Sequence, residues 1–189
     1  MAKLYIIGYG TLLYKESLAN TIGGSAGQKV YIPVIITAYK RIFNLLPDHY
    51  TPSFKISKLP VEKAAANVIR NEDSYLNGLA FEVSEEELGE LDQREKHYRR
   101  VECHAIDFHS REDIGTAMIY TAPYEMDWVT RDPKYLPDFI DIAYARTGAY
   151  RYGQDFGRMY DQTTYLADGV TLMVDHYKNY LEELNLDKT

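Results

Sequence analysis

The chain has 189 residues, of which 46% are hydrophobic and 26% charged, and a net charge of −7 at pH 7. That length suits one globular domain with a proper core, and the acidic balance argues against nucleic acid as a partner, since phosphate affinity comes from clustered Lys and Arg. No apolar run approaches membrane-spanning length, the Met1-Ala2-Lys3-Leu4 start lacks a signal-peptide core, and the single Cys103 cannot form an internal disulfide.

A soluble cytoplasmic protein is therefore expected. Tyrosine is heavily used, 18 residues against six phenylalanines and one tryptophan. An apolar ring that ends in a hydroxyl suits a half-wet pocket or the interface of a homodimer.

In chain order, residues 4–7 (Leu-Tyr-Ile-Ile) read as a buried strand, because β-branched and aromatic side chains pack well on a pleated surface. Gly8 and Gly10 interrupt it, and better helix formers run from Leu12 to Ala19. A strand that turns on glycine into a helix start leaves backbone N–H groups unpaired, which suits them to a carboxylate or an oxyanion. A tight turn without any ligand explains the same glycines. No third glycine follows at Leu13 and residues 28–31 hold no acid, so this is not a dinucleotide fingerprint. A Gly-Lys-Ser/Thr phosphate loop is also lacking.

Residues 22–27 read as a loop, and Lys29 to Leu46 as a long strand whose beginning is demoted to an edge or bulge by Pro33. Residues 47–60 read as a polar surface loop. Two strands are expected at Ala65–Ile69 and Leu76–Val83, joined by a turn at residues 71–74. Ser84 and Glu87 form a capping box opening a helix that runs through Leu88 and Leu91 towards Glu95. Strands at Tyr98–Phe108 and Thr116–Thr121 flank a turn at residues 111–115. Six strands and two helices, with strands adjacent in sequence, indicate an α+β fold with a largely antiparallel or mixed sheet, open or closed into a barrel.

Beyond residue 122 the pattern turns helical, as an extension packed on the core of the same domain. One helix is expected over Pro133–Thr147, ended by Gly148, and another over Gly153–Thr164. Val170, Met173, Val174, Tyr177, Leu181 and Leu184 fall on one face of an amphipathic third.

Glu95 breaks the pattern. It shares the Leu88/Leu91 stripe, and a carboxylate on a buried face must be paired, protonated or functional. Burial raises a carboxyl pKa, as a general base near neutrality requires. The plain alternative is an exposed helix end bridged to Arg99 or Arg100. His104 and His109, five apart, face opposite ways on a strand and make a poor metal pair, as do the neighbours Cys103 and His104. Asp48-His49 and Asp175-His176 read as solvated surface residues, and no serine-hydrolase elbow occurs. No metal or other cofactor is expected.

Several of these stretches, in order, resemble the gamma-glutamyl cyclotransferase superfamily. Tyr9-Gly10-Thr11-Leu12-Leu13 is similar to its "YGSNL"/"YGTL" signature, and Leu91 to Arg99 to its "LDxxE…YxR" stretch. Between them, Arg41-Ile42-Phe43-Asn44 resembles its "R-x-F-N" strand, and Gly78 to Val83 the lead-in to its helix. Ala117 to Thr121 fits the strand that follows, so the resemblance spans roughly residues 4–121.

The resemblance implies a small mixed β-barrel with flanking helices. It also implies a reaction in which the α-amine of a gamma-glutamyl group attacks its own side-chain carbonyl, releasing an amine or amino acid and 5-oxoproline. Carried over by position, Glu95 is the acid/base, the amides of Gly10, Thr11, Leu12 and Leu13 hold carboxylate or oxyanion, and Tyr5, Tyr9 and Tyr98 offer pocket hydroxyls. Thr11-Leu12 in place of serine-asparagine is closer to gamma-glutamylamine cyclotransferases, and Lys96 stands where a glycine often follows the catalytic glutamate. The substrate stays open among gamma-glutamyl amino acids, glutathione, gamma-glutamyl-lysine isopeptides and a gamma-glutamylated biosynthetic intermediate. A non-catalytic ligand- or partner-binding domain on the same fold, or another amide-cleaving or acyl-transferring enzyme, is the alternative.

Overall fold

The computed structural model describes residues 4–46 and 63–182. The expected loop over 47–60, the Asp48-His49 pair and Leu184 lie outside the described residues.

The first strand, β1 (Tyr5–Gly8), runs antiparallel to β3 (Lys63–Glu82), pairing Ile7 with Ala80, and parallel to β5 (Asp113–Thr121), pairing Ile7 with Ile119. β5 continues antiparallel to β4 (Arg99–Asp107), β4 to β2 (Tyr31–Leu45), and β2 returns to β3. These five strands close into a mixed barrel, which leaves none of them an open edge. Two short strands extend it from outside: β6 (Leu136–Pro137) alongside β3, and β7 (Thr164–Tyr165) alongside β2.

The two strands expected at 65–69 and 76–83 are one. Thr37 pairs with Tyr75 and Tyr39 with Arg70, so residues 71–74 bulge out opposite Ala38 alone. The turn-forming residues there do act locally, since the Asn71 side-chain carbonyl accepts from Asp73 N–H (3.2 Å) and Ser74 Oγ (2.9 Å). They kink the strand without ending it, because β2 is long enough to hold both halves. Pro33 lies within β2, just before β4 begins to pair at Val34, where a missing N–H costs the ladder nothing. The β4–β5 turn falls earlier than expected, with Asp107 N–H donating to Glu112 C=O at 2.8 Å.

Side chains alternate across the wall. Ile7, Val34, Ile36, Val68, Leu76 and Ile119 pack together in one cluster. Ile6, Phe81, Leu91 and Tyr120 pack in another with Leu18 of α1 (Lys15–Ile22), adjoining α2 (Glu85–Arg94). A third cluster joins Phe43 and Leu79 to Ile142, Phe156, Tyr160 and Met173. The capping box is formed as expected: Ser84 Oγ accepts from Glu87 N–H, and Glu87 Oε2 from Ser84 N–H at 2.8 Å.

The later helices depart from expectation in their limits. α3 runs Phe139–Tyr150, capped by the Asp138 side chain, so residues 136–137 are strand and Gly148 is inside the helix instead of ending it. A Cβ on Gly148 would lie 2.5 Å from the Leu13 carbonyl carbon and oxygen, so glycine is there for close approach of two backbones. α4 spans Gln154–Gln162. The third amphipathic helix shrinks to one turn, α5 (Met173–His176), followed by a 3-10 turn at Lys178–Tyr180. The Asp168 carboxylate takes the Val170 and Thr171 N–H groups (2.9 Å each) into a turn around Gly169 (φ 69°), leaving Val170 exposed. Met173 is buried all the same, and Val174, Tyr177 and Leu181 pack against the core. Among the described residues no helix is long and apolar enough to cross a membrane.

Candidate active site

A cavity of about 370 Å³ opens where the end of β1, the end of α2 and the start of α3 meet. Tyr9, Gly10, Thr11 and Leu12 line it from the segment just after β1, Arg94, Glu95, His97 and Tyr98 from α2 and its exit, and Asp141 from α3. Each arrives for a local reason. The bare α-carbon of Gly8 lets the chain fold back on itself, since a Cβ there would sit 2.9 Å from the Leu12 Cβ. The chain then makes a single 3-10 turn, Thr11–Leu13, rather than entering a helix directly.

In that turn Leu13 N–H donates to Gly10 C=O (3.0 Å) and Tyr14 N–H to Thr11 C=O (3.1 Å). Among the described residues the amides of Gly10, Thr11 and Leu12 have no backbone acceptor, as expected for the first donors of a helical turn. Leu13 differs from its three predecessors. Its N–H is already used, its side chain is buried in the core, and it does not line the cavity.

Glu95 caps the C-terminal end of α2, its N–H donating to Leu91 C=O at 2.8 Å. Its side chain is only 16% exposed, and its partner is the preceding residue, with Arg94 Nε 3.1 Å from Glu95 Oε1. Neither Arg99 nor Arg100 bridges to it: Arg100 binds Asp92 at 2.6 Å. Burial raises the Glu95 pKa above its ordinary value, with the Arg94 charge and hydrogen bond acting against it.

Arg94 is the residue that sequence reasoning missed. Its Nη1 donates to Ser17 C=O (2.9 Å) and Thr21 Oγ1 (2.6 Å), and its Nη2 to Thr11 Oγ1 and Ser17 Oγ (3.1 Å each). With Nε on Glu95, all five guanidinium N–H groups are engaged. One planar fork thus ties the glutamate to the turn at Thr11 and to α1.

The tyrosines divide. Tyr9 hydroxyl is buried and donates to Tyr120 C=O (2.8 Å); burial first, then the Glu95 charge, push its pKa well up. Tyr98 hydroxyl donates to Ala66 C=O (2.5 Å). Tyr5 packs against the barrel cluster and does not line the cavity. The Arg41–Asn44 stretch acts behind the wall. Buried Arg41 donates to Asn77 C=O and to Thr164 Oγ1 (3.1 Å), and Asn44 accepts from Asn67 at 2.8 Å.

Asp141 was also missed, since as a first-turn acid it looks like an ordinary partner of the helix dipole. It is a second carboxyl in the cavity, pushed up to about 6 by burial and by the Asp138 charge, with Lys63 and Arg94 acting in the other direction. Among the described residues no cluster of His, Cys, Asp and Glu is placed to hold a metal ion. What the cavity offers is bare amides, a tethered glutamate and a second acid, which suit recognition of an anion beside an amine and movement of a proton.

No protein-family model and no curated protein sequence matches the chain. Solved structures do. A structure described as gamma-glutamyl cyclotransferase superposes with a TM-score of 0.63 at 12% identity, covering 96% of this chain and 99% of that one. The human protein described as uncharacterized protein loc79017 gives 0.63 at 12% identity, over 85% and 87%. A yeast enzyme described as a gamma-glutamyl cyclotransferase specific to glutathione gives 0.56 at 12% identity, over 87% and 98%. With its closed five-stranded mixed barrel, flanking helices and agreement along nearly the whole chain, this protein has the gamma-glutamyl cyclotransferase fold.

Proposed function

We propose that the protein is a gamma-glutamyl cyclotransferase. The observation that carries this reading is a buried carboxyl, Glu95, sharing one cavity with the bare amides of Gly10, Thr11 and Leu12. The solved cyclotransferases of the same fold lend support.

In the reaction, Glu95 takes a proton from the substrate's α-ammonium. The freed amine attacks the gamma-carbonyl carbon, forming the C–N bond of the five-membered ring. The amides of Gly10–Leu12 stabilise negative charge, on the α-carboxylate or the carbonyl oxygen. The bond to the leaving nitrogen then breaks as Glu95 gives its proton to it, and the second proton of the ring nitrogen passes to the departing amine, so 5-oxoproline and an ammonium leave and no co-reactant is consumed. Nucleophile and electrophile belong to one molecule, so folding the glutamyl chain into attacking geometry is the larger part of the work. A poised, partly desolvated carboxyl supplies the rest.

A panel of gamma-glutamyl compounds assayed for 5-oxoproline tests this. Turnover by the native protein should fall about 10²- to 10⁴-fold in Glu95→Gln, the range for losing a general acid/base. Equal product from both proteins removes Glu95 from the mechanism. Binding without 5-oxoproline points instead to a ligand-binding domain, and glutamate as product to attack by water.

A further inference from the structure

The cavity holds more acid than a gamma-glutamyl group uses. That group carries one ammonium and one carboxylate; in the function proposed above, Glu95 serves the ammonium and the Gly10–Leu12 amides the negative charge. Asp141 is left over. Among the described residues no hydrogen bond or ion pair engages its carboxylate, and Lys63, the nearby lysine, is paired to Asp138.

Among the described residues, the arginine that lines the cavity is already committed. Arg94 is the cavity's guanidinium, and its five N–H groups are spent on Glu95, Thr11, Ser17 and Thr21. The phenol protons of Tyr9 and Tyr98 are directed at main-chain carbonyls. A leaving group with a carboxylate, as in gamma-glutamyl amino acids or glutathione, would find Asp141 and, among the described residues, no lining lysine or arginine free to pair with it. A leaving group with an ammonium would find a carboxylate waiting for it.

Resting on the cyclotransferase reading, we infer that Asp141 is a specificity-determining residue that selects gamma-glutamyl amides whose leaving amine carries a second, cationic amino group. Its place on α3 agrees with this, since it reaches the cavity on a different element from the glutamyl-handling groups, which sit in the turn after β1 and at the end of α2. Glu95 and Asp141 then divide the work: one moves protons, the other reads charge.

Three matched substrates test it: the gamma-glutamyl amides of 1,4-diaminobutane, butylamine and 4-aminobutyrate, alike in length and differing only in terminal charge. The native protein should prefer the diamine over the butylamide by roughly 10- to 100-fold in kcat/KM, through KM, as for a charge-assisted hydrogen bond. The 4-aminobutyrate amide should be poorest. Asp141→Asn should bring the ratio of diamine to butylamide turnover down to about one, and a cooperative thermal melt reports that the variant is folded.

A native preference for the anionic amide, or a diamine preference that survives in Asp141→Asn, overturns the inference. Equal loss of all three substrates in Asp141→Asn overturns it as well, placing Asp141 in the general machinery. If no substrate yields 5-oxoproline the cyclotransferase reading fails, and calorimetric binding of the same three compounds to Glu95→Gln becomes the readout. Charge-ranked binding abolished by Asp141→Asn then upholds the selectivity; unranked binding, or none, ends it.

Discussion

Replacing Gly148 by alanine puts helix propensity and packing in direct opposition. In an unconstrained helix interior the change stabilises by about 1 kcal/mol, because alanine loses less backbone entropy. Here the new Cβ would lie 2.5 Å from the Leu13 carbonyl carbon and oxygen and 2.8 Å from Tyr14 N. These are main-chain atoms of the turn after Gly10, so no flexible side chain can yield. Overpacking of this kind costs about 1–3 kcal/mol. Contacts this short belong at the top of that range, and the net loss should be about 2 kcal/mol.

Gly89 is the control, an exposed glycine within α2 whose added Cβ would meet nothing within 4 Å. Gly89→Ala should stabilise by about 0.5–1 kcal/mol. Urea denaturation of both variants reads the two signs. At about 2–4 °C per kcal/mol for a chain of this size, thermal midpoints should move down by roughly 4–8 °C and up by about 1–4 °C respectively. Because Gly148 backs the turn bearing the Gly10–Leu12 amides, Gly148→Ala should also lower kcat. A stabilised Gly148→Ala would refute the account of how α3 seats that turn.

Further outcomes follow from the electrostatics. The kcat/KM of the native protein should fall on the acid side with a midpoint above the ordinary carboxylate value of 4.5, because burial raises the Glu95 pKa and the base must be ionised to act. Arg94→Gln should move that limb to still higher pH and lower kcat about 10- to 100-fold; an unmoved limb would deny Arg94 its electrostatic role and leave it only as a brace. Asp141 binds its proton more tightly folded (about 6) than unfolded (3.8), so it favours the folded state at low pH and loses that advantage as pH rises through about 6. At pH 7 the ionised group therefore costs up to roughly 3 kcal/mol. Asp141→Asn should raise the melting temperature at pH 7 and lose the gain towards pH 4, whereas a gain independent of pH would assign the effect to something other than charge.

Features written in neighbouring residues were legible in advance. The capping box needs only Ser84 and Glu87, and the Leu88/Leu91 stripe is enough to mark Glu95 as an acid on a buried face. The closed barrel was less so. Residues 71–74 carry genuine turn chemistry, and only the length of β2 across from them decides that the strand goes on. Gly148 looks like a helix stop until Leu13, 135 positions earlier in the chain, is seen against it.

The apolar spacing from Val170 to Leu184 fits a helix, yet the Asp168 carboxylate claims the first N–H groups for a turn. The sequence offers Arg99 and Arg100 as partners for Glu95, but chain direction at the helix end gives it Arg94. Arg94 and Asp141 escaped notice for a common reason. A cation or an acid at a helix end is ordinary in sequence, and only tertiary proximity turns it into part of a cavity.

Arg41 carries a consequence of its own. Its guanidinium lies 4.3 Å from the Tyr160 ring centre and reaches Thr164, while Asn77, which it also holds, donates its amide to Phe156 C=O at 2.7 Å. A charge on a barrel strand is thus roofed by the last helices, and peeling them away would take its Thr164 acceptor and the Tyr160 ring and leave it Asn77 alone. The sheet and the segment after Gly153 should consequently melt together, and a shortened chain ending before α4 should be a poor folder instead of a smaller enzyme.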